Sequence, residues 1–282
     1  MADQNPGAVL IEAVELAGRL RSPGSLVLAD VRWSLGGPSG RPGYEAGHLP
    51  TAAWVDLEAE LSGPPGTGGR HPLPRPEVFQ TAMRRIGVRS GCEVVVYDAG
   101  TSLAAARLWW LLLDAGHPRV RVLDGGLAAW QQAGLPVQSG PETARPVGDF
   151  VARPGHLERV DATGLLAHLG QPEAPVLVDV RAPERYRGEV EPLDPVAGHI
   201  PGAVNRPSMA NLDPTGRFLP AAVLAERYAG LPDPVLYCGS GITAAHTLLA
   251  LRSAGVPGGR IYPGSWSDWV SDPGRPVATG PT

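Results

Sequence analysis

The sequence predicts an α/β chain built as two homologous domains, each a mainly parallel sheet flanked by helices. The first observation behind this is repetition. Leu28-Ala29-Asp30-Val31-Arg32 recurs as Leu177-Val178-Asp179-Val180-Arg181, and Ala46-Gly47-His48-Leu49-Pro50 recurs as Ala197-Gly198-His199-Ile200-Pro201. Val95-Val96-Tyr97-Asp98 returns as Val235-Leu236-Tyr237-Cys238, GGLAAW (Gly125–Trp130) as GSWSDW (Gly264–Trp269), and Gly134-Leu135-Pro136-Val137 as Gly274-Arg275-Pro276-Val277. The landmarks keep their order, so the chain reads as a tandem duplication and not as a short-period solenoid. The second observation is alternation: short apolar runs alternate with helical stretches, which implies parallel strands covered on both faces. The third is size. The 282 residues, 43% of them hydrophobic, suit two domains with real cores.

In the first half SLVLADV reads as a buried strand ending near Asp30, and EVVVYD as a second. Ala104–Ala115 is helical and is stopped by Gly116, after which VRVLDGG enters a third strand. The second half repeats this order with PVLVDV, PVLYC, a helix over Thr243–Ala254 stopped by Gly255, and GRIYPGS. The Pro- and Gly-rich run from Gly140 to Gly155 reads as a connection. The expected organisation is a domain over residues 1–143, a linker over 144–155 and a second domain over 156–282.

Composition narrows the function. A net charge of −4 gives no electrostatic case for nucleic acid or a membrane surface. All 24 basic residues are Arg, which together with abundant Ala, Gly and Pro reads as GC-rich codon usage. No apolar run approaches the roughly 20 residues of a membrane helix. The opening MADQNPGAVLIEAVELAGRL lacks a basic start, so no signal peptide is expected. Two cysteines in unlike contexts, Cys92 and Cys238, do not make a disulfide scaffold, and a cytoplasmic location is the expectation. No Cys/His cluster at ligand spacing implies a metal, and no motif implies an organic cofactor.

Cys92 enters a strand and reads as a small buried hydrophobe. Cys238 sits differently. It ends a predicted strand, and Gly239-Ser240-Gly241 leads into a helix. Ligands of open α/β sheets gather at such carboxyl ends. A thiol attacks as thiolate. Glycines let a loop curl its amides inward, and a helix N-terminus adds positive potential. Gly239, Gly241, Ile242 and Thr243 are therefore expected to cradle a thiolate and a second anion attached to it. A cysteine phosphatase needs Arg six positions after the cysteine, where this chain has Ala244, and disulfide exchange wants a second cysteine at position 241, which is Gly. A single-cysteine sulfur carrier remains. The first half carries Asp98 in place of the cysteine.

Asp179-Val180-Arg181, Gly198-His199-Ile200-Pro201-Gly202-Ala203, Cys238-Gly239-Ser240-Gly241-Ile242-Thr243-Ala244 and Gly264–Trp269 resemble the tandem-domain sulfurtransferases of the rhodanese superfamily. The resemblance implies two rhodanese-like domains, the second catalytic and the first not. The neutral Cys-Gly-Ser-Gly-Ile-Thr loop is similar to that of the branch using 3-mercaptopyruvate, whereas thiosulfate-preferring members carry cations there. It implies Arg185 as a substrate-binding residue, with Arg187 as a second candidate. A further Arg that the family often has before Gly-His-Ile is missing from Glu191-Pro192-Leu193-Asp194. It also implies a Ser–His–acid relay: Ser240, His71 and either Asp56 or Glu58. Alone, His71 reads as a loop histidine and Arg185 as a surface arginine. His48 and His199 occur in both halves and read as structural, His246 as packing, and Trp266 and Trp269 as core, with Trp266 a possible pocket wall.

The expected activity is transfer of a sulfane sulfur from 3-mercaptopyruvate through a Cys238 persulfide to cyanide, a thiol or a thioredoxin-like acceptor. A thiosulfate:cyanide sulfurtransferase is the first alternative, and a non-enzymatic sulfur-carrier or binding module the second.

Overall fold

The computed structural model describes residues 9–21, 26–171 and 174–281. The start of the opening segment and Ser25 of the first predicted strand lie outside them. The chain forms two compact units: Met1–Gly63 with Pro74–Leu157 and Leu212–Phe218, and Pro64–Leu73 with Glu158–Asn211 and Leu219–Thr282.

Unit 1 runs β1 (Leu10–Ile11), α1 (Ala13–Leu20), β2 (Leu26–Asp30), α2 (Arg41–Ala46), β3 (Ala53–Trp54), α3 (Leu57–Glu60), α4 (Pro76–Arg85), β4 (Glu93–Tyr97), α5 (Leu103–Asp114), β5 (Val120–Leu123) and α6 (Gly126–Gln132). Its five strands are ordered β1-β5-β4-β2-β3, all parallel. The pleat of β4 is buried on both faces, which is why Val94, Val95, Val96 and Tyr97 form an unbroken apolar run. The helix α5 is apolar nearly all round and almost entirely buried, with Trp109 and Trp110 in the core.

Unit 2 continues with α7 (Ala162–His168), β6 (Leu177–Asp179), α8 (Pro183–Tyr186), β7 (Val204–Asn205), α9 (Ala221–Arg227), β8 (Val235–Tyr237), α10 (Ile242–Ser253), β9 (Arg260–Ile261) and α11 (Ser265–Trp269). Its parallel sheet is ordered β7-β6-β8-β9. Leu165, Tyr186, Ile200, Tyr237, Trp266 and Trp269 form its core. No helix among the described residues is long and apolar enough to cross a membrane.

The duplication extends to several matching hydrogen bonds. Arg32 forks onto Asp30 and reaches the Gly47 carbonyl at 2.7 Å; Arg181 forks onto Asp179 and reaches the Gly198 carbonyl at 2.6 Å. His48 stacks on Tyr44 at 4.0 Å and His199 on Tyr186 at 3.8 Å, each with Nδ1 on that tyrosine's carbonyl. The paired histidines therefore lock the loop after the first long strand of each repeat. Trp130 and Trp269 donate to Pro136 and Pro276.

Two features lie beyond a simple repeat. The run expected as a linker is bonded to unit 1: Gly148 N–H donates to the Arg84 carbonyl, Arg153 N–H to Ala115, and Phe150 is buried. Secondly, Pro64–Leu73, which follows α3 in the first repeat, packs as part of unit 2, and Leu212–Phe218, at the corresponding place in the second, packs as part of unit 1.

Candidate active site

Cys238 follows β8 directly, so the strand's register sets where its sulfur lies. Gly241 takes φ +82° and ends the loop at the start of α10; a Cβ there would meet the Pro263 carbonyl oxygen at 2.2 Å, so no side chain fits. The Gly241 N–H points at the Cys238 sulfur, 3.1 Å away. The first turn of α11 anchors the loop, with Trp266 and Ser267 N–H on the carbonyls of Cys238 and Gly239. Cys238 and Ser240 are both buried.

Ser265 is a site residue that the sequence reading missed. It accepts the Cys238 N–H at 3.1 Å, donates to the Tyr262 carbonyl at 2.9 Å, and holds its hydroxyl 3.9 Å from the Cys238 sulfur. Its φ is +54°, a conformation that costs a non-glycine residue about 1 kcal/mol or more. The signal lay in the repeat. Gly126 occupies the same place in the first half at φ +52°, so GGLAAW against GSWSDW sets a serine where the backbone asks for glycine.

The arm Pro64–Leu73 brings the other groups. Gly69 passes so close to Gly264 that a Cβ would lie 2.7 Å from its carbonyl oxygen, and the Arg70 N–H donates to Ser267 Oγ at 3.0 Å. This seats the buried His71 with Nδ1 2.7 Å from Ser240 Oγ. Arg70 was also missed, because nothing in GTGGRHP marks it. Its guanidinium bonds Asp194 at 2.5 Å through Nη1.

Arg185 donates to Glu191 at 2.6 Å and to Asp194 at 3.3 Å, while Glu191 also accepts from Arg181 at 3.1 Å. The loop that lacks an arginine thus supplies two buried carboxylates that hold three. A Cβ on Gly239 would lie 3.1 Å from Arg70 Nη2 and 3.6 Å from Arg185 Nη1. These nitrogens make no hydrogen bond among the described residues. The carboxylates therefore take the backs of both guanidiniums and leave free N–H groups beside the residue that follows Cys238. That arrangement suits an anion.

Asp98, the counterpart of Cys238, reports what the loop holds. One carboxylate oxygen accepts from Gly100 and Ser102 N–H at 3.0 and 2.9 Å, and the other from Ala104 and Ala105 at 3.1 and 3.3 Å. Burial pushes its pKa up, against the pull of these amides. Unit 1 therefore fills the amides of this turn with a carboxylate, and at the matching turn of unit 2 the Gly241 N–H meets the thiol sulfur.

A model of the rhodanese-like domain matches residues 12–133 and again residues 161–272. The chain belongs to the rhodanese-like family. A Pseudomonas aeruginosa relative provisionally named 3-mercaptopyruvate sulfurtransferase is 49% identical over 97% of this chain and 99% of its own. A Mycobacterium tuberculosis relative with a provisional thiosulfate sulfurtransferase name, SseB, is 43% identical over 98% and 99%. Among solved structures, Escherichia coli SseA, described as a 3-mercaptopyruvate sulfotransferase, aligns with a TM-score of 0.79 at 34% identity, covering 92% of this chain and 98% of that one.

Set against this rhodanese-like framework, the expected site residues divide. Cys238, Ser240, His71, Gly239, Gly241 and Arg185 come together in unit 2. Ile242 and Thr243 open α10, but the amide that bonds the thiol sulfur is that of Gly241. Arg187 is turned to Glu189 at the surface, 2.7 Å away, because α8 ends one residue before it. Asp56 caps α3 by accepting from Glu58 and Ala59 N–H, and Glu58 accepts from Trp33 Nε1 at 2.7 Å; both belong to unit 1. Cys92 is buried, and burial raises its pKa, as suits an inert thiol. His246 is buried on α10. Trp266 lies under the Arg181 guanidinium, 4.7 Å from ring to cation, and donates to the Val196 carbonyl.

Proposed function

We propose that the protein is a 3-mercaptopyruvate sulfurtransferase working by double displacement through a Cys238 persulfide. The observation that carries this is the Ser240–His71 pair at 2.7 Å, set on a loop beside which Arg70 and Arg185 hold N–H groups free to take a carboxylate. Free N–H groups of Arg185 and Arg70 hold the donor carboxylate. The Cys238 thiolate attacks the donor sulfur, and the sulfur–carbon bond breaks with its electron pair passing into the enolate of pyruvate. Ser240, backed by His71, donates to the enolate oxygen as charge develops there. The proton first carried by the donor thiol ends on the methyl carbon of pyruvate, and the persulfide remains as an anion.

The Asp98 geometry supports a place for that anion. Its first oxygen, on Ser102 N–H, corresponds to the Cys238 sulfur on Gly241 N–H; its second corresponds to the outer sulfur, facing the amides of Thr243 and Ala244. Cyanide, a thiol or a thioredoxin-like protein then attacks the outer sulfur and releases Cys238 thiolate. The acid of the relay is either Asp56, which also caps α3, or Glu58, which also accepts from Trp33. Arg187, engaged with Glu189, takes no part in this reading.

The M. tuberculosis relative's name favours thiosulfate as a second reading. Thiocyanate formation from cyanide with each donor tests the choice, with Cys238→Ser as control. A preference for 3-mercaptopyruvate above tenfold in kcat/KM, about 1.4 kcal/mol, supports the first reading. A thiosulfate preference supports the second. Absence of turnover with both donors would leave a sulfur-carrier module.

A further inference from the structure

Unit 1 contains a cavity of about 390 Å³ that the sulfur chemistry does not use. It opens at the amino-terminal edge of the sheet, where the turn before β4 meets the α5–β5 connection and the strip after residue 148, opposite the end that carries Asp98. The backbone fixes its walls. Arg153 and His156 N–H groups take the carbonyls of Ala115 and Asp114 at the end of α5. Gly116, at φ +88°, lets the His156 ring pack where a Cβ would be 2.8 Å from Cε1. Phe150 forms an aromatic wall, buried and edge-on to His117 at 5.9 Å.

The lining is electropositive in a chain of net charge −4. Arg119 and Arg153 both line it, exposed, and neither guanidinium has a hydrogen bond or ion pair among the described residues. The single carboxylate of the lining, Asp149, already accepts the Ser90 N–H at 2.7 Å. His117 is 4% exposed, and its Nε2 is buried without a partner. The Cys92 and Arg119 backbone carbonyls lie near this ring and act against its burial. Burial lowers its pKa, which favours the neutral ring. A neutral ring accepts a proton from an acidic hydroxyl or gives one to an anionic oxygen.

We propose that this cavity binds a small phosphate monoester with an apolar portion. Two unpaired guanidiniums match a dianion better than a single carboxylate. A phosphate near its second pKa offers both an O–H and oxygen acceptors to the polar lining. The aromatic wall of Phe150 suits the apolar part, and the volume falls within the range of small-molecule sites.

The test is calorimetric titration of the full chain with phenyl phosphate, and with inorganic phosphate to weigh the apolar part. Saturable binding is expected, tighter for phenyl phosphate. It should weaken at least about tenfold in Arg119→Ala/Arg153→Ala and stay unchanged in Arg185→Ala. Both arginines are exposed and unpaired, so the double variant keeps its fold, checked by its thermal midpoint. The His117 ring resonances should shift on binding in the wild type. No saturable binding up to about 10 mM, weaker than any specific site of interest, overturns the proposal. So does loss of binding in Arg185→Ala with none in the double variant, which places the anion at Cys238 instead.

Discussion

The carboxylate of Asp98 and the sulfur of Cys238 hold equivalent places in the two repeats, each bonded to the amide that closes the turn before its helix. The relationship separates two properties usually entangled at an active site. Cradling an anion belongs to the fold, while nucleophilic chemistry belongs to one residue. Asp98→Ala should therefore destabilise the protein by about 3 kcal/mol, since it orphans buried amides at 1–3 kcal/mol each. Sulfur transfer per folded molecule should stay within about twofold. Urea unfolding and the thiocyanate assay measure the two effects separately, and a large loss of turnover in folded protein would contradict the separation.

Ser240→Ala and His71→Gln should each lower kcat with 3-mercaptopyruvate by about 10- to 100-fold, the scale of a lost proton-transfer or oxyanion contact. Thiosulfate leaves as sulfite and needs no enolate stabilisation, so its turnover should change by less than about threefold. Equal losses with both donors would show that the pair merely supports the loop. If Glu58 is the acid of the proposed relay, Glu58→Gln should follow the His71 pattern, while Asp56→Asn should act mainly on stability, as loss of a cap does.

Arg185→Ala and Arg70→Ala should raise KM for 3-mercaptopyruvate at least about tenfold with a smaller change in kcat, because each removes a charge-assisted contact to the carboxylate. Arg187→Ala should leave both constants alone. Asp194→Asn tests positioning: it leaves Arg70 charged but loosens its hold, so KM should rise by an intermediate amount. If Asp194→Asn instead lowers KM, Asp194 competes with the donor and does not position the arginine.

Ser265 gives a prediction of unusual sign. Ser265→Ala keeps a Cβ at φ +54° and loses the hydroxyl, whereas Ser265→Gly loses the hydroxyl and relieves the backbone. The glycine variant should be the more stable of the two by about 1 kcal/mol, the reverse of an ordinary helix start. Both should transfer sulfur more slowly than the wild type, having lost the contact that fixes Cys238 N–H. A more stable alanine variant would remove strain from the account.

Asp124 gives a pH signature. Burial and the nearby carboxylates of Glu12 and Asp213 push its pKa up to about 6, against the opposing Phe218 N–H and Arg217. A raised folded pKa contributes stability that is full below the ordinary carboxylate range, near pH 4, and is lost as pH rises through 6. Asp124→Asn keeps an acceptor for the Phe218 N–H and removes the buried charge. It should gain on the order of 2 kcal/mol at pH 8 and nothing at pH 4. Denaturation at both pH values checks this, and a gain independent of pH would assign the effect to packing.

Much of the site was legible because duplication supplies an internal comparison. Two copies of one grammar isolate the position where one carries Asp98 and the other Cys238, and strand-to-helix order puts that position at the carboxyl end of a central strand. Arg70 was not legible, since its chemistry depends on a neighbour, Asp194, that is 124 residues away. Arg187 was a fair candidate by proximity to Arg185, yet the end of α8 turns it to Glu189. The Glu191–Asp194 loop looked poorer for lacking an arginine and proved to be the device that aims the others.

The sequence by itself determined the duplicated α/β architecture, the single nucleophile and the neutral loop around it, because strand period, helix stops and glycine turns are local properties carried by consecutive residues. The tertiary structure decided which distant groups surround that nucleophile. The arm Pro64–Leu73 leaves its own repeat to seat Arg70 and His71 in unit 2, and two acidic residues choose which faces of the arginines stay free. Those choices come from long-range packing and ion pairing, whose energies depend on distances that a one-dimensional pattern does not contain.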